Sequence, residues 1–327
     1  MNCKNCHSDN TIKYGKLGDI QLYKCKDCHT KFKSDDSLFH MKVPANLVTS
    51  ALNMYYEGMS IKAIARNLKQ EHGTMPSTAT IYEWIQKYTQ YATDSIKDYK
   101  PNPKKIGDIW IADETMIQID GNNVWLWDIL DDKTRFLLAT KISGSRKTQD
   151  AQTLIDKAIR TAGKEPKQVL TDSLAAYLDV NYGKDAEHIQ AGIARESEHT
   201  QKIERFHSTL KTRTKVMRGL KNIDSAIEFL DGWLVHYNYL RPHHALDDMT
   251  PAEVAGIDYP YENWKDIIHN HKPSRYIGRA HKPRTSLRLK DIGFGKPRKR
   301  RPNKSKSVKR KLAQTPSIST TKLGRGI

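Results

Sequence analysis

All four cysteines of this 327-residue chain fall within its first 28 positions, as Cys3-x-x-Cys6 and Cys25-x-x-Cys28. Two intervening residues let both thiolates of a knuckle reach one ion. Two knuckles complete a tetrahedral four-sulfur set, which suits zinc. Between them, residues 12–15 and 20–24 read as two short strands around Gly15 and Gly18. Residues 1–40 are therefore expected to be a zinc ribbon. No cysteine is left over and no βαβ pattern surrounds either pair, which argues against a redox role. Four cysteines in so long a chain are not a disulfide scaffold. A closed four-sulfur site folds its segment and does not catalyse. His7 and His29, beside the knuckles, read as surface residues.

The charge of +18 is unevenly spread. Residues 271–327 carry 19 Lys/Arg and one acid, Asp291; residues 1–107 carry 16 and 10; residues 108–270 carry 20 and 26. Both ends suit a polyanion, and the acidic middle needs another explanation. Apolar runs are too short for a membrane-spanning helix, and the N-terminus lacks the apolar stretch of a secretory signal. A soluble cytoplasmic, nucleoid-associated protein is expected.

Residues 41–92 are helical by pattern. Leu47, Ala51, Met54 and Tyr55 recur at helix spacing and Gly58 ends the run. Ser60 is placed to cap a second helix with Ile61, Ile64, Ala65 and Leu68. Ser77 is placed to cap a third with Ile81, Trp84, Ile85 and Tyr88 inward. Three short helices with a glycine-marked turn suggest a helix-turn-helix, whose third helix presents Thr78, Thr80, Tyr82 and Lys87 to DNA. Residues 93–107, polar with two prolines, read as a linker.

In the acidic middle, Ile109-Trp110-Ile111-Ala112 is an apolar run that gives way to Asp113 and Glu114. Asp120-Gly121-Asn122-Asn123 is a hairpin turn. Residues 124–129 and 136–142 follow as strands, 148–161 as a helix, and 168–172 as a further strand ending in Asp172. A short strand at 187–189 and a polar helix from Gln201 to Lys215, containing Glu204, complete the pattern. This is a mixed α/β sheet with flanking helices. If the first and fourth strands are neighbours, Asp113 and Asp172 approach closely and Glu204 can close the group. Carboxylates so close repel unless a cation neutralises them. All-oxygen ligands suit Mg²⁺ or Mn²⁺, and two such ions can clamp an in-line phosphoryl displacement. Glu114 is expected to point to the opposite face of its strand. Asp120, Asp131 and Asp132 read as turn residues.

Asp113 in "WIADET", Asp172 in "VLTDS" and Glu204 in "KIERFHSTLK" resemble the acidic triad of DDE transposases and retroviral-type integrases. "HYNYLRPHHALDDMTPAEVAG", residues 236–256, resembles the stretch that ends many insertion-sequence transposase cores. The helix-turn-helix segment is similar to recombinase DNA-binding modules. The resemblance implies a ribonuclease H-like catalytic domain over 108–258, with Asp113, Asp172 and Glu204 catalytic and holding two Mg²⁺ or Mn²⁺. It implies hydrolysis at transposon ends, strand transfer of the 3′-hydroxyl into target DNA, and an assembly of at least two chains. The alternative is a domesticated, non-catalytic DNA-binding regulator. Its sequence support is the short interval of 31 residues between Asp172 and Glu204.

On the Glu204 helix, His207, Lys211 and Lys215 are candidate DNA contacts, with His207 positioned to reach a scissile phosphate. Adjacent His243 and His244 lack a metal-ligand spacing. The region 259–327 reads as a basic, largely disordered arm, in which Arg298, Arg300 and Arg301 grip nucleic acid by counterion release. Neither a phosphate-binding glycine loop nor a nucleophile elbow is present.

Overall fold

The structure, a computed structural model, describes residues 1–35, 38, 43–190, 197–217 and 220–270. Arg298, Arg300 and Arg301 lie outside the described residues.

The ribbon is a three-stranded antiparallel sheet in the order β1 (Thr11–Leu17), β2 (Ile20–Cys25), β3 (Lys31–Lys33). The third strand was not expected. Cys3, Cys25 and Phe32 are its buried side chains, and Phe32 stacks on Tyr23. So small a core leaves the fold dependent on the sulfur cluster.

Three helices follow: α1 (Ala45–Tyr56), α2 (Ile61–His72) and α3 (Thr78–Ser95). Ser60 accepts from the Ala63 amide at 3.3 Å and Ser77 from the Thr80 amide at 3.0 Å, the two caps legible in the sequence. Gly73, with φ 67°, ends α2 in the left-handed conformation that glycine adopts without strain.

The central sheet has the order β6-β5-β4-β7-β8. β4 (Ile109–Ile119), β5 (Asn122–Asp131) and β6 (Leu137–Ser143) form an antiparallel meander through the Asp120-Gly121 turn. α4 (Thr148–Ala162) then returns the chain to β7 (Gln168–Thr171), parallel to β4, and β8 (Glu187–Gln190) adds in parallel at the edge. α5 (Ser197–Lys215) and α6 (Ile223–Val235) follow. The sheet is thus mixed α/β, in the strand order that brings the first and fourth strands together.

Each face of the sheet has its own core. Trp110, Ala112, Trp127 and Ile129 pack on Leu154, Ile155 and Ala158 of α4. Ile111, Ile117, Ile119 and Leu126 pack toward Phe206 and Leu210 of α5 and Phe229 and Trp233 of α6. This second core continues into α1, α2 and α3. The helix-turn-helix segment is therefore fused to the sheet domain, and residues 93–107 are not a free linker. α3 runs on to Ser95, Pro101 is buried, and the Asn102 amide donates to the Ala255 carbonyl at 2.9 Å.

Two further features concern the end of the domain, the second of them a correction. A helical turn, His236–Leu240, places the buried Asn238 against the free edge of β6. Its side chain accepts from the Leu137 amide at 2.9 Å and donates to the Leu137 carbonyl at 3.1 Å. That satisfies the Leu137 backbone at the outer edge of β6. After α7 (Pro251–Val254), α8 (Trp264–Asn270) lies where the basic arm was expected to have begun. Trp264, Ile267 and Ile268 at helix spacing are buried, and Trp264 stacks on Tyr56 of α1 at 5.1 Å.

Candidate metal and nucleic-acid site

β4 and β7 pair Ile109 with Gln168, Trp110 with Val169 and Ile111 with Leu170. Two residues beyond the last pair stand Asp113 and Asp172. Parallel, in-register strands put their carboxylates at one level, and oxygen atoms of Asp113, Glu114 and Asp172 lie within 4.8 Å of one another. Asp172 is exposed, and its Oδ1 accepts from the Leu174 amide at 2.9 Å.

Glu114 was expected to turn away from this group. Its partners do lie on the α4 side: Arg146 is ion-paired to it, and the Tyr177 hydroxyl donates to it at 3.1 Å. Yet β4 outruns β7, so among the described residues no strand pairs with β4 on that side between Ile111 and the Leu220 bridge at Ile119. Side chains from both faces can meet at the vacated edge. Burial and the nearby Asp172 push the Glu114 carboxyl up, and Arg146 pulls it down.

On the other face, His207 of α5 sits between two carboxylates. Its Nδ1 is 3.3 Å from Asp113 and its Nε2 is 3.0 Å from Asp128. Asp128 pairs directly opposite Asp113 across the β4–β5 hairpin and is fully buried. Burial disfavours the imidazolium, but the bonds from Asp113 and Asp128 outweigh it and raise the His207 pKa to about 9. The ring is 5 % exposed. His207 therefore supports Asp113 and, although almost wholly buried, is among the residues that line the cleft beside it.

Glu204 is exposed and lies outside the three-carboxylate group, but it lines the same cleft of about 470 Å³ with Asp113, Glu114, Ser208, Lys211 and Lys215. Ser208, Lys211 and Lys215 form its cationic and polar rim. The group bears three acids and, among the described residues, one ion-paired arginine and one histidine. Hard oxygen donors at this separation fit a divalent cation such as Mg²⁺.

In the helix-turn-helix segment, Thr78 is exposed and Thr80 half-buried. Tyr82 and Lys87 depart from the expected recognition surface. The Tyr82 hydroxyl is 3.5 Å from Ser225 of α6, and Lys87 lies half-buried over the Tyr88 ring at 5.1 Å. α3 packs along α6, and the Tyr82 side of α3 faces it. Gln86 donates to Glu228 of α6 at 3.1 Å.

In the ribbon, the four Sγ atoms lie within 4.8 Å of one another, with Cys3–Cys28 and Cys6–Cys25 each at 3.5 Å. Tetrahedral zinc thiolates give sulfur separations of about 3.8 Å, so the four cysteines are compatible with one zinc ion. His7 and His29 each follow a knuckle in the left-handed conformation, φ 59° and 58°. They shape the turns and are not in the sulfur group.

Residues 107–243 match the family model of the DDE domain. This segment is a DDE domain. It contains Asp113, Asp172 and Glu204. An uncharacterized protein of Methanocaldococcus jannaschii is 22 % identical over 230 residues, covering 68 % of this chain and 97 % of its own. Among solved structures, the HTLV-2 integrase catalytic core domain in complex with magnesium (trimeric form) is similar, with 16 % identity and TM-score 0.37. It covers 46 % of this chain and 97 % of that one. The simian T-cell lymphotropic virus intasome in complex with PP2A regulatory subunit B56 gamma has 14 % identity and TM-score 0.36, over 70 % of this chain and 76 % of that one.

Asp128, Arg146 and Tyr177 are site residues that were not expected, and Glu114 was expected on the opposite face. Asp128 was within reach. Counting outward from the Asp120-Gly121 turn pairs it with Asp113, and two like charges opposed on one face require a cation between them.

Proposed function

We propose that this chain is a DNA transposase that cuts element ends and joins them to target DNA. The observation that carries the reading is the level placement of Asp113 and Asp172 at the ends of adjacent parallel strands within a DDE domain. Glu204 lines one cleft with Asp113. Asp113, Asp172 and Glu204 would hold divalent cations such as Mg²⁺. Bound there, the ions supply charge neutralisation for the phosphodiester and lower the pKa of an attacking hydroxyl.

The chain's own residues do the rest. His207 fixes the Asp113 carboxylate against Asp128, and Asp172 is held by the Leu174 amide. Ser208, Lys211 and Lys215 line the backbone of an end drawn into the cleft. Water attacks phosphorus at the element end. The P–O3′ bond breaks, leaving a 3′-hydroxyl on the element and a 5′-phosphate on the flank. That hydroxyl then attacks a target phosphodiester and displaces the target's 3′-oxygen, which takes up a proton. Two ends must be joined together, so at least two chains assemble. The ribbon, holding structural zinc on Cys3, Cys6, Cys25 and Cys28, and the N-terminal end of α3 around Thr78 read the terminal repeats.

A non-catalytic DNA-binding regulator is the second reading, favoured by the position of Glu204 outside the close carboxylate group. Nicking and strand transfer on end-containing DNA in Mg²⁺ or Mn²⁺ separate the two. The transposase cuts, and Asp113→Asn does not. Specific binding without any cutting leaves the regulator.

A further inference from the structure

The acidic group has cationic side chains on both faces of the sheet, and only one face is used above. On the α5 face stand His207, Lys211 and Lys215. On the α4 face, β4 and β5 run on past the end of β7, and Trp125 of β5 pairs with Ser143 at the end of β6. Met116 there is 46 % exposed and pairs in register with the half-buried Trp125. The Arg146 guanidinium lies over the Trp125 ring at 4.2 Å. Its side chain is 35 % exposed, and one Nη is ion-paired to the buried Glu114 carboxylate beside Asp113 and Asp172.

This combination holds a guanidinium in place and leaves it work to do. Glu114 takes one arm of a five-donor fork. Trp125 sets the plane of the group by stacking. A planar, pre-set fork matches the oxygens of a phosphate, and an ordinary surface arginine would lose more freedom on binding one. The transposase reading requires two DNA molecules to converge on one set of acids. The α5 cleft offers its cations to one of them, and Arg146 offers a cation on the other face.

We infer that Arg146, seated on Trp125 and held by Glu114, grips a backbone phosphate of the target duplex, while the α5 face holds the element's own end. Arg146 is thus a positioning residue for the joining step. The inference rests on the transposase reading.

The test is the ratio of strand transfer to end hydrolysis, measured on the full chain with end-containing DNA and a plain target duplex. Arg146→Gln lowers this ratio by about 10- to 100-fold, the usual weight of a charge-assisted hydrogen bond. Arg146→Lys recovers part of the loss. Glu114→Gln combined with Arg146→Gln removes the stranded buried charge and keeps the low ratio. A structural defect lowers both steps together, so an unchanged ratio overturns the inference. If the wild-type chain cuts no end, the transposase reading fails by itself. Arg146 is then decided by binding of the plain duplex in Ca²⁺. Weaker binding of Arg146→Gln, with a salt slope smaller by about one, sustains the phosphate contact. Equal affinity and slope remove it.

Discussion

Asp113 and Asp172 stand at one level because β4 and β7 run parallel and in register, each carboxylate two residues beyond the Ile111–Leu170 pair. With Glu114 they crowd three acids within 4.8 Å. In EDTA that crowding opposes folding, so Asp172→Asn raises the melting temperature. Divalent cation reverses the order. Mg²⁺ at 100 times its dissociation constant stabilises the wild-type chain by about 2.7 kcal/mol and Asp172→Asn far less. Thermal unfolding with and without Mg²⁺ measures both. Equal Mg²⁺ stabilisation of the two chains would remove Asp172 as a ligand.

His207 bridges Asp113 and Asp128 in the interior, so its loss strands a buried carboxylate. His207→Ala is expected to cost roughly 3 kcal/mol. Adding Asp128→Asn removes the stranded charge and restores a sizeable part. Urea unfolding in EDTA reads the cycle. Equal losses in single and double variants would reduce His207 to ordinary packing.

The strand order was legible because the Asp120-Gly121 turn and the run of apolar segments dictate a meander, a helix and a returning strand. The placement of Asp113 beside Asp172 follows from that order. What could not be read is where β7 stops. Its four residues end before Asp113, and this alone lets Glu114 join from the opposite face. The fusion of α1–α3 to the sheet was also hidden. A polar, proline-bearing stretch at 93–107 looks like a linker until Asn102 is seen bonded to Ala255, a partner 153 residues away in sequence. Trp264 was assigned to the arm because three apolar residues in seven give little periodicity.

Zinc is expected to be integral to the ribbon and dispensable to the DDE domain. A strong chelator, or Cys25→Ser, should open residues 1–35 to protease and leave the central sheet protected. Metal analysis of the purified chain should give one zinc per chain, lost on Cys25→Ser. Protection of the ribbon without zinc would contradict a four-sulfur staple.

Gly232 of α6 faces Tyr56 of α1 and Thr89 of α3. A Cβ there would collide with the Tyr56 hydroxyl and sit 2.7 Å from Thr89 Cγ2. Those two residues share a buried hydrogen bond of 2.6 Å. Gly232→Ala gains helix propensity, yet the overpacking dominates, for a net loss of about 1–2 kcal/mol. Tyr56→Phe removes the colliding oxygen, so Gly232→Ala costs less in that background. Additive losses in urea would show that the two sites do not touch.

His243 supplies an acid-sensitive contact at the end of the DDE domain. Burial lowers its pKa to about 4, against the donation of Nε2 to the Tyr237 carbonyl at 3.4 Å, and nearby Arg241 and Arg135 add to the lowering. The native state therefore holds the ring neutral, while the unfolded chain protonates it near pH 6.5. Its contribution is intact above pH 6.5 and is lost as pH falls from there through 4. After allowance for partial exposure, the loss is about 2 kcal/mol. His243→Gln keeps a donor for Tyr237 and cannot take up a proton. Its stability should fall less than that of the wild-type chain between pH 6.5 and 4. Parallel acid slopes in chemical denaturation would place the charged His243 in solvent.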